Sequence, residues 1–403
     1  MAPPLLTVTE ARAAILAQAA PTAITSIPLW DADDRILAEP LAATRTQPPF
    51  DVSAMDGFAV RAGDVADLPA TLKLIGEAAA GHGFDGSVQP GEAVRIFTGA
   101  PVPPGADAIV IQENTEHNAT KVIVKEGAPE AGHIRPRGFD FADGQSLLTA
   151  PRRLNARDIT LAAAMGHATL PVRHRPRVAL LATGDELVLP GEPTGPDQIV
   201  CSNPYGIASI VRRAGGEPIF LGIAKDDRDT LAAKLEEGHD CDVTIAIGGA
   251  SVGDHDLVGP VLKDLGMSLD FWRIAMRPGK PLMYGRLGAR HVLGLPGNPV
   301  SSMICARIFV VPLIRALLGL AADTDTTRDA IAGNAMTANG PREHYMRATL
   351  VTGPEGNPVA TPVRSQDSSL LSPLAEADAL IVRPPNDAAI SAGGPVQVLP
   401  LDF

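Results

Sequence analysis

Apolar positions change their period along the chain. From residue 177 to about 320, short continuous apolar runs alternate with amphipathic stretches, which predicts buried parallel strands covered by helices. Residues 178–182, 218–223, 243–247 and 291–295 read as the strands. Helices are predicted over 204–214 with Ser202 or Asn203 as cap, from Asp229 or Thr230 to Glu237, and over 257–265, where Val258, Val261, Leu262 and Leu265 share a side. Asn298 is placed to cap a long apolar helix that starts at Pro299 and runs to Leu318. Residues 72–150 carry a different texture: apolar runs at 72–75, 93–97, 108–111 and 122–124 separated by Gly, Pro and Asp turns, the pattern of short strands. Residues 345–351, 359–362, 379–382 and 395–399 repeat it and predict a small C-terminal β-barrel or sandwich. Near the start, Thr9 is the predicted cap of an Ala-rich helix ended by Pro21, followed by a strand, a turn and a helical piece around Leu37. A further helix is predicted over 155–165, capped by Asn155 and ended at Gly166.

A chain of 403 residues exceeds one ordinary core, so several domains are expected. The period changes divide it into a discontinuous helical and linker region (1–49 and 148–176), a β-rich inserted domain (50–147), a central open α/β domain (177–326) and a C-terminal β domain (327–403). The fold class is therefore multidomain, α/β plus β.

Charge narrows the partners. The net charge is −12, and no basic tail or dense basic stripe occurs, which argues against nucleic acid. Three widely spaced cysteines make neither a disulfide framework nor a Cys-x-x-Cys metal site. The first residues lack a signal-peptide pattern, and no uninterrupted apolar run reaches about 18 residues, so a cytoplasmic enzyme without a membrane partner is expected.

The candidate chemistry sits where predicted strands end. The run 243–247 opens into Gly248-Gly249-Ala250-Ser251-Val252-Gly253-Asp254-His255-Asp256, a glycine-rich loop that delivers two carboxylates. Glu186 follows strand 178–182, and Asp226-Asp227 follows 218–223. Arg273, Arg277 and Lys280 fall within eight residues, and Pro296-Gly297-Asn298-Pro299 leads into the long helix, whose free amides suit an anion. In the β-rich part, Asp56-Gly57 marks a turn, Thr98-Gly99 ends a strand, and Arg135-Pro136-Arg137-Gly138 precedes Phe139-Asp140. Each of these has a plain alternative as a solvated turn or hairpin edge. Ser365 to Ser369 reads as a polar ligand loop or a capped turn. No Gly-x-Gly-x-x-Gly or Walker lysine loop occurs, His167 and His174 lack ligand spacing, and Ser251 with His255 makes no persuasive triad.

Six segments taken in order resemble the molybdopterin molybdenumtransferase family, over nearly the whole chain: Ser53-Ala54-Met55-Asp56-Gly57-Phe58-Ala59, Phe97-Thr98-Gly99-Ala100-Pro101, Thr183-Gly184-Asp185-Glu186-Leu187, the 248–256 loop, Arg277-Pro278-Gly279-Lys280-Pro281 and Leu295-Pro296-Gly297-Asn298-Pro299. The resemblance implies insertion of molybdate into adenylylated molybdopterin, with a divalent metal, normally Mg2+, releasing AMP and forming molybdenum cofactor. It implies a catalytic set of Asp56, Thr98, Asp140, Glu186, Asp226 and Asp256, with Glu186, Asp226 and Asp256 as the metal group. Arg273, Arg277, Lys280, Pro296, Gly297, Pro299 and Ser251 are implied on the ligand side. Arg273 and Arg277 stand where some members carry lysine, Cys201 where an acidic residue is usual, and Ser369 where glycine is usual. A homodimer with a cleft shared between subunits is implied, with transient contacts to the molybdopterin adenylyltransferase and to target molybdoenzymes. The alternatives are that adenylyltransferase itself, which resembles only residues 178–320, or a non-catalytic scaffold derived from the same fold.

Overall fold

The structure, a computed structural model, describes residues 5–249, 257–322, 326–353 and 356–403. It divides into two compact units, one formed by Met1–Thr25 with Arg173–Phe403 and one by Ser26–Val172.

The larger unit is built on a six-stranded sheet: β1 (Arg177–Thr183), β2 (Glu217–Ala224), β3 (Val243–Ile247), β4 (Ser268–Trp272), β5 (Met283–Leu287) and β6 (Arg290–Leu295). Its order is β2-β1-β3-β6-β5-β4. The first four strands of that order run parallel, and β5 and β4 close the edge antiparallel. All five residues of β3 are buried, Thr244 among them, because helices cover both faces of the sheet. Helices Arg228–Glu237 and Val258–Asp264 bring Leu231, Leu235, Val258, Val261 and Leu262 onto Ala179, Leu181 and Val292. Helix Asn203–Ala214 buries Ile207, Ile210, Val211 and Ala214. The helical stretch Pro299–Leu317 is apolar and long enough to cross a membrane by composition, yet 78% of it is buried within the protein. Its middle turn widens to a π-helix at Ala306–Val310, where buried Arg307 pairs with Asp402 at 2.9 Å.

Register decides what the sheet presents. Thr183 pairs with Ala224, Ala182 with Ile247, and Ile247 with Leu295. The carboxyl ends of four parallel strands are thus level within one residue. The loops at 184–187, 225–227, 248–249 and 296–298 emerge side by side.

The C-terminal strands Arg328–Ala332, Glu343–Thr352, Pro358–Pro362, Ala379–Arg383 and Pro395–Pro400 pair in a ring, which closes because 343–352 also pairs with 379–383. Small side chains, among them Ala330, Ala332, Ala348, Ala360 and Ala379, fill this narrow barrel. Met276–Arg277 adds to it in parallel, Arg277 opposite His344. The smaller unit holds a six-stranded mixed sheet in the order 108–111, 57–60, 92–96, 70–78, 121–124, 115–117. The multidomain α/β-plus-β class, with a β-rich part and a small closed barrel, is the observed architecture.

Several local expectations shift. Thr7, not Thr9, caps helix Val8–Ala17, because only Thr7 completes a capping box with Glu10. Asp227 caps helix Arg228–Glu237 by accepting from the amides of Asp229 and Thr230. Ile36–Leu37 is a buried strand paired with Arg152–Arg153, not a helical piece. Neither Ser202 nor Asn298 makes a side-chain cap.

Two buried histidines give the fold a pH dependence. His291 accepts from or donates to the Tyr284 hydroxyl at 2.9 Å, and burial first, then the Arg286 charge, pulls its pKa to about 4. His344 is pulled to about 4 by burial, then by Arg277, Arg383 and Arg342. Both folded values lie below the ordinary value of 6.5, so the unfolded chain binds protons that the folded chain refuses. Stability is complete above pH 6.5 and falls as pH drops toward 4, by about 3 kcal/mol for each ring. Urea midpoints at pH 7 and pH 5 should differ accordingly; equal midpoints would mean the rings are charged in the native state.

Candidate active site

A cavity of about 1120 Å³ opens at the strand exits of the larger unit. It lies over the ends of β1 and β3, the crevice that open α/β sheets offer to ligands. Glu186, Asp226, Arg277, Lys280, Pro296, Gly297 and Pro299 all line it, so seven sequence-predicted residues meet in one place. Gly248 permits this closeness: at φ +94 it lets the loop leave β3 sharply, and a Cβ there would sit 2.8 Å from the Thr183 carbonyl.

The carboxylates come from the exits of β1 and β2. The Glu186 and Asp226 loops are tied together by the Asp226 amide, which donates to Asp185 Oδ1 at 3.1 Å. Asp227 is occupied as a cap, and the Thr230 hydroxyl and amide hold its carboxyl below the usual range. Only Asp226 of that pair lines the cavity. Cys201 also lines it; burial, then the neighbouring Glu186 charge, pushes its thiol up to about 11. The position is therefore neutral here.

Cations come from two directions. Arg277 is stitched to the barrel edge, and Lys280 directly follows a sharp turn at Gly279. That turn packs directly on the buried Cys305, whose Sγ would lie 2.5 Å from a Cβ at 279. Arg342, from the barrel, also lines the cavity. Arg277, Lys280 and Arg342 have no carboxylate partner among the described residues. Arg273 is not among the residues that line this cavity. Its φ of +76 turns the chain between β4 and Ile274, and the side chain is exposed. Closeness in sequence to Arg277 does not survive that left-handed turn.

The remaining wall is the 366–369 loop: Gln366, Asp367, Ser368 and Ser369. Asp367 Oδ1 accepts from the Ser369 amide at 2.9 Å and hydroxyl at 2.7 Å, a capped turn, and the loop still faces the cavity. Ser369 thus tightens the loop through both its amide and its hydroxyl. The buried Arg347 underlies it, donating to the carbonyls of Ser365, Asp367 and Leu370 at 2.8–2.9 Å. Neither Arg342 nor Arg347 carries a local sequence signal; both are reached only through the barrel.

Asp56, Thr98 and Asp140 belong to the smaller unit. Asp56 is rigid there: the Thr98 amide and hydroxyl both donate to its Oδ1 at 2.8 Å, and these bonds, the amide first, hold its carboxyl below the usual range. Arg95, stacked between Phe58 and Phe97, adds to the shift. Asp140 is exposed. Ser251, Asp254 and Asp256 lie outside the described residues. Among the described residues, no cluster of three or more His, Cys, Asp or Glu could hold a metal ion by itself.

Comparison with known proteins decides the family. Three family models match in order: "MoeA N-terminal region (domain I and II)" over residues 6–166, "Probable molybdopterin binding domain" over 179–316 and "MoeA C-terminal region (domain IV)" over 329–401. The molybdopterin molybdenumtransferase of Nostoc sp. is 38% identical over 384 residues, 93% of this chain and 88% of the relative. The chain belongs to the molybdopterin molybdenumtransferase family. The Haemophilus influenzae molybdopterin molybdenumtransferase is 33% identical, covering 99% of both chains. A crystal structure of the molybdopterin biosynthesis MoeA protein from Pyrococcus horikosii matches with a TM-score of 0.86 at 29% identity, over 99% of this chain and 100% of that one. As a molybdenumtransferase, the chain is a transferase of molybdenum cofactor biosynthesis. The match extends far beyond residues 178–320, which sets aside the adenylyltransferase reading.

Proposed function

We propose that this molybdenumtransferase takes adenylylated molybdopterin and molybdate into the cavity, joins the oxyanion to the dithiolene and releases AMP. The observation that carries the reading is the set of charged groups around one space: Glu186 and Asp226 at the exits of β1 and β2, together with Arg277, Lys280 and Arg342. Two anionic substrates repel each other, so their encounter needs fixed positive groups. Arg277 and Arg342 offer planar forks for phosphate or oxyanion, and Lys280 a point charge. The amides at 297–298 add donors at the start of a long helix.

The donor set fits Mg2+. Glu186 and Asp226 are hard oxygen ligands on the same cavity, and Mg2+ commonly takes one or two carboxylates together with substrate phosphates and water. Asp256 is the third member of the group by family resemblance. Bound there, the ion supplies charge neutralisation at the phosphoanhydride. The protein's own groups do the rest: the cations draw in both anions, and the polar 366–369 loop orients them.

Asp56, Thr98 and Asp140 complete the site from the partner of a homodimer in this reading. The Asp56–Thr98 clasp supports it, since a carboxylate held this firmly suits orientation of a ligand. A cytoplasmic location accords with three free, buried cysteines. Handover contacts with the adenylyltransferase and with target molybdoenzymes belong to the same reading.

The test is AMP release from adenylylated molybdopterin with Mg2+, with and without molybdate. Molybdate-dependent AMP is the expected result; pyrophosphate formed from ATP, or binding without turnover, would replace the reading. Arg277→Ala should raise the molybdate requirement by about tenfold while shifting the adenylylated substrate less, as loss of one charge-assisted contact implies. An unchanged molybdate response would remove Arg277 from the oxyanion side.

A further inference from the structure

The turn that joins β6 to the long helix is held from beneath. Asn203 Nδ2 donates to the Gly297 carbonyl at 2.7 Å and lies 3.4 Å from Ser302 Oγ. Ser302 Oγ in turn donates to the Pro296 carbonyl. In a trans peptide the carbonyl and the following N–H point opposite ways. Fixing the carbonyls of Pro296 and Gly297 therefore aims the amides of Gly297 and Asn298 away from Asn203 and Ser302. Neither amide has a hydrogen-bond partner among the described residues. Asn298 does not fold back as a cap; its side chain donates instead to Ser368 Oγ at 2.8 Å, and the Val300 amide is taken by the Ser368 carbonyl.

A polar side chain without a protein partner stands beside this turn. Thr183, only 6% exposed, lines the same cavity, and its hydroxyl has no hydrogen-bond partner among the described residues. It lies beside this turn: a Cβ at Gly248 would be 3.1 Å from Thr183 Oγ1, and a Cβ at Gly297 would be 3.6 Å from Gly248 Cα. A buried hydroxyl left unpaired costs about 1–3 kcal/mol. Thr183 Oγ1 therefore stands beside the two amides as a buried polar group without a partner among the described residues.

We infer that Asn203 is a positioning residue for the oxyanion substrate. By holding the Gly297 carbonyl it presents two consecutive amides, which together with the Thr183 hydroxyl form a donor set for a tetrahedral oxyanion. Asn203 acts through Gly297, so the requirement is for a donor at Nδ2. Aspartate has nearly the same shape but sets an acceptor against an acceptor, which releases the peptide and turns its N–H away. The identity of the oxyanion as molybdate rests on the proposed function above.

The experiment compares Asn203→Asp, Asn203→Gln and Thr183→Val with the wild type in two measurements: the molybdate concentration for half-maximal AMP release, and the rise in unfolding temperature produced by molybdate alone. Asn203→Asp should raise the half-saturating molybdate concentration about 10- to 100-fold, the loss of one or two preorganised donors. It should also abolish the molybdate-induced rise and leave half-saturation by adenylylated molybdopterin unchanged. Asn203→Gln, which keeps the donor, should recover part of both, and Thr183→Val should raise the molybdate requirement without lowering the unfolding temperature. If Asn203→Asp does not fold, Ser302→Ala removes the neighbouring anchor at Pro296 and should give the same selective loss. A wild-type molybdate response in Asn203→Asp, or equal losses toward both substrates, would overturn the inference. A wild-type protein that releases no AMP on adding molybdate would instead sink the insertase reading, and the molybdate-induced rise would still decide the role of Asn203.

Discussion

Glu186→Gln should lower molybdate-dependent AMP release by about 10²- to 10³-fold, the scale of losing one preorganised electrostatic group. The substitution keeps shape and removes one charge. Glu186 lies at the exit of β1 on an exposed loop and lines the cavity, so nothing structural depends on its ionisation. Unfolding stability should stay within about 0.5 kcal/mol of the wild type, as for ordinary surface changes. A second readout separates charge from shape. The Glu186 carboxylate adds to the burial that lifts the Cys201 thiol to about 11, so the glutamine variant should titrate that thiol at a lower pH. Turnover close to wild type at saturating Mg2+ would remove Glu186 from the catalytic group and leave Asp226 and Asp256 to carry it.

Arg347→Met should cost about 3–5 kcal/mol in urea unfolding, the scale of leaving three carbonyls without their charged donor. Arg347 is 1% exposed, and its guanidinium satisfies three carbonyls of the 365–370 loop. Gln366 locks the same strand reciprocally: its side chain accepts from the Arg347 amide and donates to the Arg347 carbonyl, both at 2.9 Å. Methionine fills the space and leaves the carbonyls without donors. The damage reaches the cavity, because Ser368 in that loop also accepts from the Asn298 side chain and the Val300 amide. Molybdate dependence should therefore worsen even in the folded fraction. Arg347→Lys keeps the charge but offers no planar fork, so it should recover little. Full stability in the lysine variant would show that charge alone, without the geometry of three bonds, holds the loop.

Much of the site was legible before any coordinates. Glycine and carboxylate loops directly after apolar runs are local signals, and a parallel sheet must bring such loops to one edge; Glu186, Asp226 and Gly297 meet for that reason. Local signals also misled in definite ways. Thr9 and Thr7 both precede the same apolar stretch, and only the reciprocal bond to Glu10 selects Thr7. Asn298 has the residue type and position of a cap, yet its side chain finds Ser368, seventy residues away, a better-placed partner. Arg273 and Arg277 are four residues apart, but a left-handed turn at Arg273 and barrel pairing at Arg277 send them to different surroundings.

The sequence by itself determined the element types, the order of the α/β and β parts, the family and most residues at the strand exits. These follow from period, turn chemistry and contiguous motifs, all short-range properties of the chain. Only the tertiary structure decided which charged groups face one another. Arg342 and the 366–369 loop, which Arg347 underlies, reach the cavity through closure of a barrel, and Asn203 reaches Gly297 across ninety-four residues. A hydrogen bond of 2.7 Å between such distant positions depends on strand register and helix packing, which no local pattern encodes. The run at 243–247, all five residues buried, is where the two levels meet: its period predicts the strand, and its register beside Thr183 and Leu295 makes a cavity of the loops around it.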